Sequence, residues 1–155
     1  MEDVHYKLII REKEYYEDVY SLLQTTNDDF TPALTEKFSL EEITDKYIKL
    51  AHIYIAYVRD EPAGLVAFYP NEFPKDSYMS LIAVKSEFRG FQIGKSLETK
   101  CINYCQQFGS KGLLLNMRRS NSKLFESRQK LGYKVVKEYT LEYSAELIVD
   151  MHIEF

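Results

Sequence analysis

Tyr78-Met-Ser-Leu-Ile-Ala-Val-Lys-Ser-Glu-Phe-Arg-Gly-Phe-Gln-Ile-Gly-Lys-Ser-Leu97 is the stretch on which the reading of the whole chain turns. It opens as an apolar strand, passes through a tight basic turn holding Gly90 and Gly94, and starts a helix. Backbone N–H groups in the first turn of a helix have no partner within it, and the helix dipole adds partial positive charge there. Strand, turn and helix in this order build an anion site suited to a phosphate.

Upstream of this stretch, His5 to Arg11 reads as a short strand, and Tyr16, Val19, Tyr20 and Leu23 recur at helical spacing until about Thr25 to Asn27. Asn27 to Thr35 mixes turn formers with carboxylates and reads as a loop. Ser39-Leu-Glu-Glu42 fits a capping box that opens a second helix, with Leu40, Ile43, Tyr47 and Leu50 as its apolar face. His52 to Val58 and Gly64 to Tyr69 form a hairpin around a turn at Arg59 to Pro62, and Pro70 and Pro74 bracket the loop that leads to Tyr78.

Downstream, Ile93, Leu97, Cys101, Tyr104 and Phe108 mark the buried face of a long helix that Gly109 closes. Lys111 to Met117 is a short apolar strand, as expected between two covered faces of a sheet. A helix over Ser120 to Lys130 follows, stopped by Gly132, and then two strands with a turn near Ser144. The last alternates Leu147, Val149, Met151, Ile153 and Phe155 with Glu146, Asp150, His152 and Glu154, the pattern of a half-buried strand. The order β-α-α-β-β-β-α-β-α-β-β predicts a single α/β domain over residues 1–155.

At 155 residues the chain is long enough to withdraw about 70% of its unfolded surface from water, so no disulfide staple is needed. Hydrophobic residues at 45% and charged residues at 28% match a soluble globular protein, and no apolar run approaches a membrane span. Met1 to Tyr6 carry neither a basic leader nor an apolar signal core, which makes the cytoplasm the expected compartment. The net charge of −4, with both signs interspersed, argues against nucleic acid as a partner. Cys101 and Cys105 lie four apart in a helical pattern and read as reduced core thiols, and no further ligands stand at metal-binding spacing. Thirteen Tyr and nine Phe without Trp read as an aromatic core and rim rather than as a stacking platform.

Two nucleotide readings compete for the turn. Gly90-Phe-Gln-Ile-Gly-Lys-Ser96 resembles a Walker A loop but has three residues, not four, between the first glycine and the Gly-Lys pair, which removes part of the phosphate cradle. Leu147-Ile-Val-Asp150 as a Walker B partner lies in a half-exposed terminal strand. The second reading fits better. Val84 to Leu97 resembles the cofactor motif of the GNAT superfamily of acetyl-CoA-dependent N-acetyltransferases: Arg89 opens it, Gly90 follows, Gly94 closes it, and Gln92 replaces the usual middle glycine. Leu114-Leu-Asn-Met-Arg-Arg-Ser-Asn121, followed by Lys130-Leu-Gly-Tyr133, is similar to the strand, helix and Lys-Leu-Gly-aromatic ending of that superfamily.

The resemblance implies a GNAT-like fold with a mixed central sheet flanked by helices, acetyl-CoA as cofactor, and direct attack of a neutral amine on the thioester carbonyl. It assigns backbone contacts with the pantetheine arm to Ile82, Ala83 and Val84. The diphosphate falls to the N–H groups of Gly90, Phe91, Gln92, Ile93, Gly94 and Lys95, with Ser96, Arg89 and Asn121 also at the cofactor. Gln92 keeps its N–H pointing inward if its backbone is helical. Capping of the next helix is the competing role for Asn121.

Relatives often carry a tyrosine acid where this chain has Arg128, and some carry a glutamate base where it has Asn116. An arginine stays protonated but its charge can steady a thiolate, and an asparagine can orient an amine or a water. The candidate catalytic residues are therefore Asn116, Arg128 and Glu72, with Asp28, Asp29, Asp76, His52 and Tyr78 as further base candidates that read equally as surface or strand residues. Asp28, Asp29 and Phe30, in a loop resembling that of bacterial GNATs acting on sugars, are the candidate acceptor contacts.

The expected activity is acetylation of a primary amine on a small molecule such as an amino sugar. The alternatives are protein N-acetylation, a GNAT-fold module that binds CoA or a partner without chemistry, and P-loop nucleotide binding. The expected assembly is a monomer or homodimer away from membranes.

Overall fold

The computed structural model describes residues 3–30, 34–141 and 145–155. Strand β1 (Val4–Ile10) leads to α1 (Tyr16–Thr26) and α2 (Leu40–Leu50), then to β2 (His52–Val58), β3 (Glu61–Tyr69) and β4 (Ser77–Val84). Helix α3 (Ile93–Phe108), β5 (Gly112–Arg118), α4 (Ser122–Leu131), β6 (Lys134–Thr140) and β7 (Leu147–Glu154) complete the expected order. The seven strands form one sheet in the order β1-β2-β3-β4-β5-β7-β6, mixed because β4 and β5 alone run parallel. Helix α3 makes the long crossover that a parallel pair requires.

The two faces of the sheet carry separate cores. Val66, Phe68, Leu113, Leu115, Val149 and Met151 face α3 and α4, where they meet Ile93, Leu97, Cys101, Phe125 and Tyr133. Ile53, Ile55, Leu65 and Leu81 face the other way, against Val19, Leu22 and Leu23 of α1 and Tyr47 and Ile48 of α2. The two cysteines are free and buried on α3.

Local chemistry accounts for most of the boundaries. Ser39 and Glu42 exchange the two hydrogen bonds of a capping box at the start of α2, at 3.1 Å each. Gly109 and Gly132 end α3 and α4 in the left-handed region, with φ of 95° and 112°. The β2–β3 turn is tighter than expected, only Arg59 and Asp60, both at positive φ as a two-residue hairpin loop requires. Pro62 falls inside β3 at a register shift, where Ala56 pairs with Gly64 and Tyr57 with Pro62. A bulge is the place in an inner strand where a missing N–H is tolerated.

Four expectations are corrected. Leu50 is exposed, and Thr44 and Ile48 complete the buried stripe of α2. Phe108 is also exposed while Cys105 is buried, since in the last turn of α3 Phe108 stacks on Tyr104 rather than entering the core. In β7 it is Ile148, not Leu147, that is buried. β5 is covered on one face only, since Leu113, Leu115 and Met117 are buried but Leu114 is half-buried and Asn116 exposed. The turn expected near Ser144, and the middle of the loop after α1 at 31–33, lie outside the described residues; either side of the latter, Asn27–Asp29 and Leu34–Glu36 form short 3-10 turns.

Candidate functional site

The site begins where the sheet comes apart. β4 and β5 pair only at Ser77 with Leu113 and Tyr78 with Leu114. From Met79 onward β4 pairs with β3 alone, so the N–H and C=O groups along its other edge have no strand partner. Within that free edge lies a bulge. Phe68 pairs with Met79 and Ala67 with Leu81, which leaves Ser80 as the extra residue. The bulge inverts the alternation of side chains: Met79 points into the α3 core and Leu81 into the α1–α2 core. Ser80 Oγ is 2.9 Å from the hydroxyl of Tyr47, whose pKa burial pushes up to about 12.

Two cavities follow the free edge and meet at Asp29, Phe30 and Ile82. The first, about 340 Å³, runs along Ile82, Ala83 and Val84 to Gly90, Gln92 and Gly94 at the start of α3. Residues 93–95 occupy the first turn of that helix, the first i→i−4 bond there runs from Ser96 N to Gln92 O at 3.1 Å, and no acidic side chain lies in the turn. The amides are thus left to face an anion. A Cβ added at Gly94 would meet only Val84 Cγ2, at 3.7 Å, so packing within the protein does not demand a glycine there. The space it keeps open belongs to the cavity, which is the fit a diphosphate needs.

Gln92 departs from expectation. Its backbone is left-handed, φ 59° and ψ 25°, so it does adopt the conformation that a glycine would take without strain. Arg89 is exposed and donates from Nη2 to Asp29 Oδ2 at 2.7 Å. Asp29 therefore closes over the turn as well as over the second cavity. Asp28 is exposed on the same short turn and lines neither cavity, whereas Phe30 is half-buried and lines both.

The second cavity, about 400 Å³, opens on the face of β5, β7 and β6 that α1 and α2 do not cover, and Asn116, Arg118, Asn121, Tyr139 and Ile148 line it. Asn116 Nδ2 donates to the Tyr78 hydroxyl at 3.1 Å, and the Tyr139 hydroxyl donates to Asp150 Oδ1 at 3.0 Å. Burial raises the Tyr78 pKa, with the Asp150 charge adding to it, and burial followed by the bond to Asp150 pushes Tyr139 up to about 12. Asn121 caps α4, its Oδ1 accepting from Leu124 N at 3.4 Å, while also facing this cavity.

Arg128 is 3% exposed and held by Glu98 of α3, with Nη2 at 2.6 Å from Oε1 and Nε at 3.2 Å from Oε2. Its charge is already compensated, so its first task is to tie α4 to α3. Glu72 lies outside both cavities. Its loop is fastened to the far end of the sheet by Phe73 N to Gly109 O at 2.7 Å and Lys111 N to Lys75 O at 3.0 Å. Ser77 alone is about 16 Å of strand away from Ile82. Asp76 is paired there with His152 at 2.9 Å. His52 packs against Phe68 and Tyr104 on the α3 side, where burial lowers its pKa.

Sequence reasoning missed the bulge at Ser80, Tyr47, Tyr139 and the bond from Tyr139 to Asp150, which reads in the sequence as a polar residue of an alternating strand or as a Walker B candidate. No local pattern marks a β4 bulge, because its cause is pairing with β3.

The model of the family described as "Acetyltransferase (GNAT) family" matches residues 17–133. No curated protein matches by sequence. Among solved structures, a GNAT family acetyltransferase from Elizabethkingia anophelis with acetyl-CoA bound is 18% identical with a TM-score of 0.71, covering 100% of both chains. The ribosomal-protein-S18-alanine N-acetyltransferase from Escherichia coli is 15% identical with a TM-score of 0.76, over 97% of this chain and 94% of that one. A chain of the NatC complex bound to Gag peptide and CoA is 21% identical with a TM-score of 0.74, over 100% and 99%. These likenesses extend over the whole sheet, and the family match runs from α1 to the buried Tyr133, taking in the splayed strands, the Arg89 turn and α4. The chain belongs to the acetyltransferase (GNAT) family.

Proposed function

We propose that the protein transfers an acetyl group from acetyl-CoA to the primary amine of a small-molecule acceptor, an amino sugar or a compound like it. The observation that carries this reading is the meeting of the two cavities at Ile82 on the free edge of β4. One ends in unpartnered helix amides, and the other in hydroxyl and amide oxygens. Acetyl-CoA, when bound, supplies a thioester whose carbonyl an amine attacks, the C–N bond forming as C–S breaks, with CoA leaving as the thiol and one proton of the original ammonium released.

The chain's own contributions follow from position. The amides of residues 93–95 and the dipole of α3 hold the diphosphate, assisted by Arg89 once it leaves Asp29. The N–H and C=O groups of Ile82 and Val84, which face the free edge while those of Ala83 face β3, hold an extended arm as a missing strand would. The bulge at Ser80 interrupts the ladder with β3 at the edge of the second cavity, and a β4 amide there is the fixed donor available to stabilise negative charge developing on the acetyl carbonyl. Phe30 shields the junction from water. The size of the second cavity favours a small acceptor over a folded protein, with a peptide N-terminus as the second reading suggested by the peptide-bound relative.

Isothermal titration with CoA is expected to give saturable binding, weakened at least about tenfold by Arg89→Glu, which loses one charge-assisted contact and adds a repulsive charge. Release of free CoA in the presence of amino sugars, polyamines and short peptides then ranks the acceptors. Absence of CoA binding overturns the proposal, and binding without turnover on any amine converts it to a CoA-binding module.

A further inference from the structure

Asn116 of β5 and Asp150 of β7 are cross-strand partners, so their side chains stand together on the uncovered face of the sheet. Tyr139 reaches Asp150 from β6 and Tyr78 reaches Asn116 from β4. Four strands thus contribute one member each to a continuous polar cluster. Two of its donors are engaged within it. The single proton of the Tyr139 hydroxyl goes to Asp150, and the amide of Asn116 is oriented by its bond to Tyr78.

What this leaves toward the cavity is oxygen: the carbonyl of Asn116 and the lone pairs of Tyr139, both from residues that line it. Behind them stands the carboxylate of Asp150, half-buried and in no ion pair among the described residues. Its register partner on β6, Lys137, holds its ammonium over the Tyr139 ring at 5.3 Å from the centroid. His152, next but one on β7, is taken by Asp76. The ring of Phe30, which lines the cavity, adds a surface that favours a cation. The wall made by Asn116 and Tyr139 offers hydrogen-bond acceptors with a carboxylate behind them and suits an ammonium group, while Arg118 and Asn121 line the cavity beyond it.

We propose that Asp150, acting through Tyr139 and beside Asn116, is the positioning residue that seats the acceptor's ammonium, and that the acceptor is accordingly a small cationic amine. This rests on the acetyl-transfer reading above. Asp150 touches the acceptor only through the Tyr139 hydroxyl, whose oxygen receives an N–H from the ammonium while its own proton remains on the bond to the carboxylate. The charge of Asp150 is thereby felt by the amine without direct contact.

The test compares wild type, Asp150→Asn, Asp150→Glu and Tyr139→Phe, with glucosamine, ethanolamine and spermidine as cationic acceptors and hydroxylamine as a nucleophile that is neutral at pH 7.5. Asp150→Asn keeps the shape and the acceptor atom for Tyr139, so folding is preserved. It is expected to raise KM for the best cationic amine at least about tenfold, the scale of a lost charge-assisted hydrogen bond. CoA affinity read by titration stays within twofold, the enzyme-dependent rate with hydroxylamine falls less than that with the cationic amine, and Asp150→Glu recovers part of the loss. Tyr139→Phe raises the same KM by a smaller factor. An unchanged KM in Asp150→Asn, or an equal loss with hydroxylamine, overturns the inference alone. Failure to bind CoA, or CoA binding with no turnover of any amine, overturns the acetyl-transfer reading on which it stands.

Discussion

The Arg89 turn and the polar cleft of the second cavity share Ile82 as a boundary yet are made of different material. The turn is backbone: amides of one helix start, two glycines, and a strand edge left unpaired within residues 78–97. The cleft is side chain, with Tyr78, Asn116, Tyr139 and Asp150 gathered from four strands up to 72 positions apart (150 − 78). A site of the first kind is specified by conformation and tolerates most side chains that point away from it. A site of the second kind is specified by which side chains the sheet order brings into register. The turn should therefore respond to changes in backbone freedom, and the cleft to changes in charge and shape.

The largest expected effect tests where the cleft ends and the frame begins. Arg128 lines the cleft but is clamped to Glu98. Arg128→Met leaves a buried carboxylate without its partner and is expected to lower unfolding stability by about 3–5 kcal/mol, while Arg128→Met with Glu98→Leu recovers most of it. Urea denaturation of the three forms decides it. A loss of activity without loss of stability would move Arg128 from the frame to the chemistry.

Next come two substitutions within the turn that should have opposite signs for binding. Gly94→Ala places a methyl in the cavity where no protein atom objects, so stability rises by about 0.5–1 kcal/mol as for any helical Gly→Ala. CoA affinity falls at least about tenfold, equal to about 1.4 kcal/mol. Gln92→Gly relieves a left-handed residue that costs about 1–2 kcal/mol, offset in part by the greater freedom of glycine in the unfolded chain. A net gain of about 0.5 kcal/mol with CoA affinity equal or better is expected, measured by thermal unfolding with and without CoA. If Gly94→Ala bound CoA as well as wild type, the turn would not be the diphosphate site.

The smallest effect concerns the residue that joins the two regions. Asp29 and Arg89 form an exposed pair worth about 0.2–1 kcal/mol. Asp29→Asn frees Arg89 for an incoming phosphate, so CoA should bind up to about fivefold tighter at low salt, and the gain should vanish at high ionic strength. Titration at two salt concentrations checks this.

The same contrast explains what the sequence made legible. The element order, the capping box at Ser39, the glycine stops at Gly109 and Gly132 and the turn at Arg89 are all local features with local causes, and each is found where it was expected. Glu72, chosen as a base because its loop precedes β4 in sequence, lies at the wrong end of that strand, since closeness along the chain says nothing about which end faces the cleft. Asp150 was hidden for the converse reason. An acidic residue in an alternating strand is ordinarily solvated, and only the insertion of β7 between β5 and β6 places it opposite Asn116 and within reach of Tyr139.

The two ladder positions that join β4 to β5 have a mechanical meaning. They divide the sheet into two leaves, β1 to β4 and β5 to β6, hinged at Ser77 and Tyr78 and braced across the back by α3. The hydroxyls of Ser77 and Ser110 are bonded to each other at this spine, next to the loop fastened over Gly109 to Lys111. Ile82 is about 16 Å out along one leaf, so a tilt of one degree at the spine moves it by about 0.3 Å relative to the other. Residues that touch neither cavity thereby set the gap between the leaves, and with it the distance across which an amine must reach.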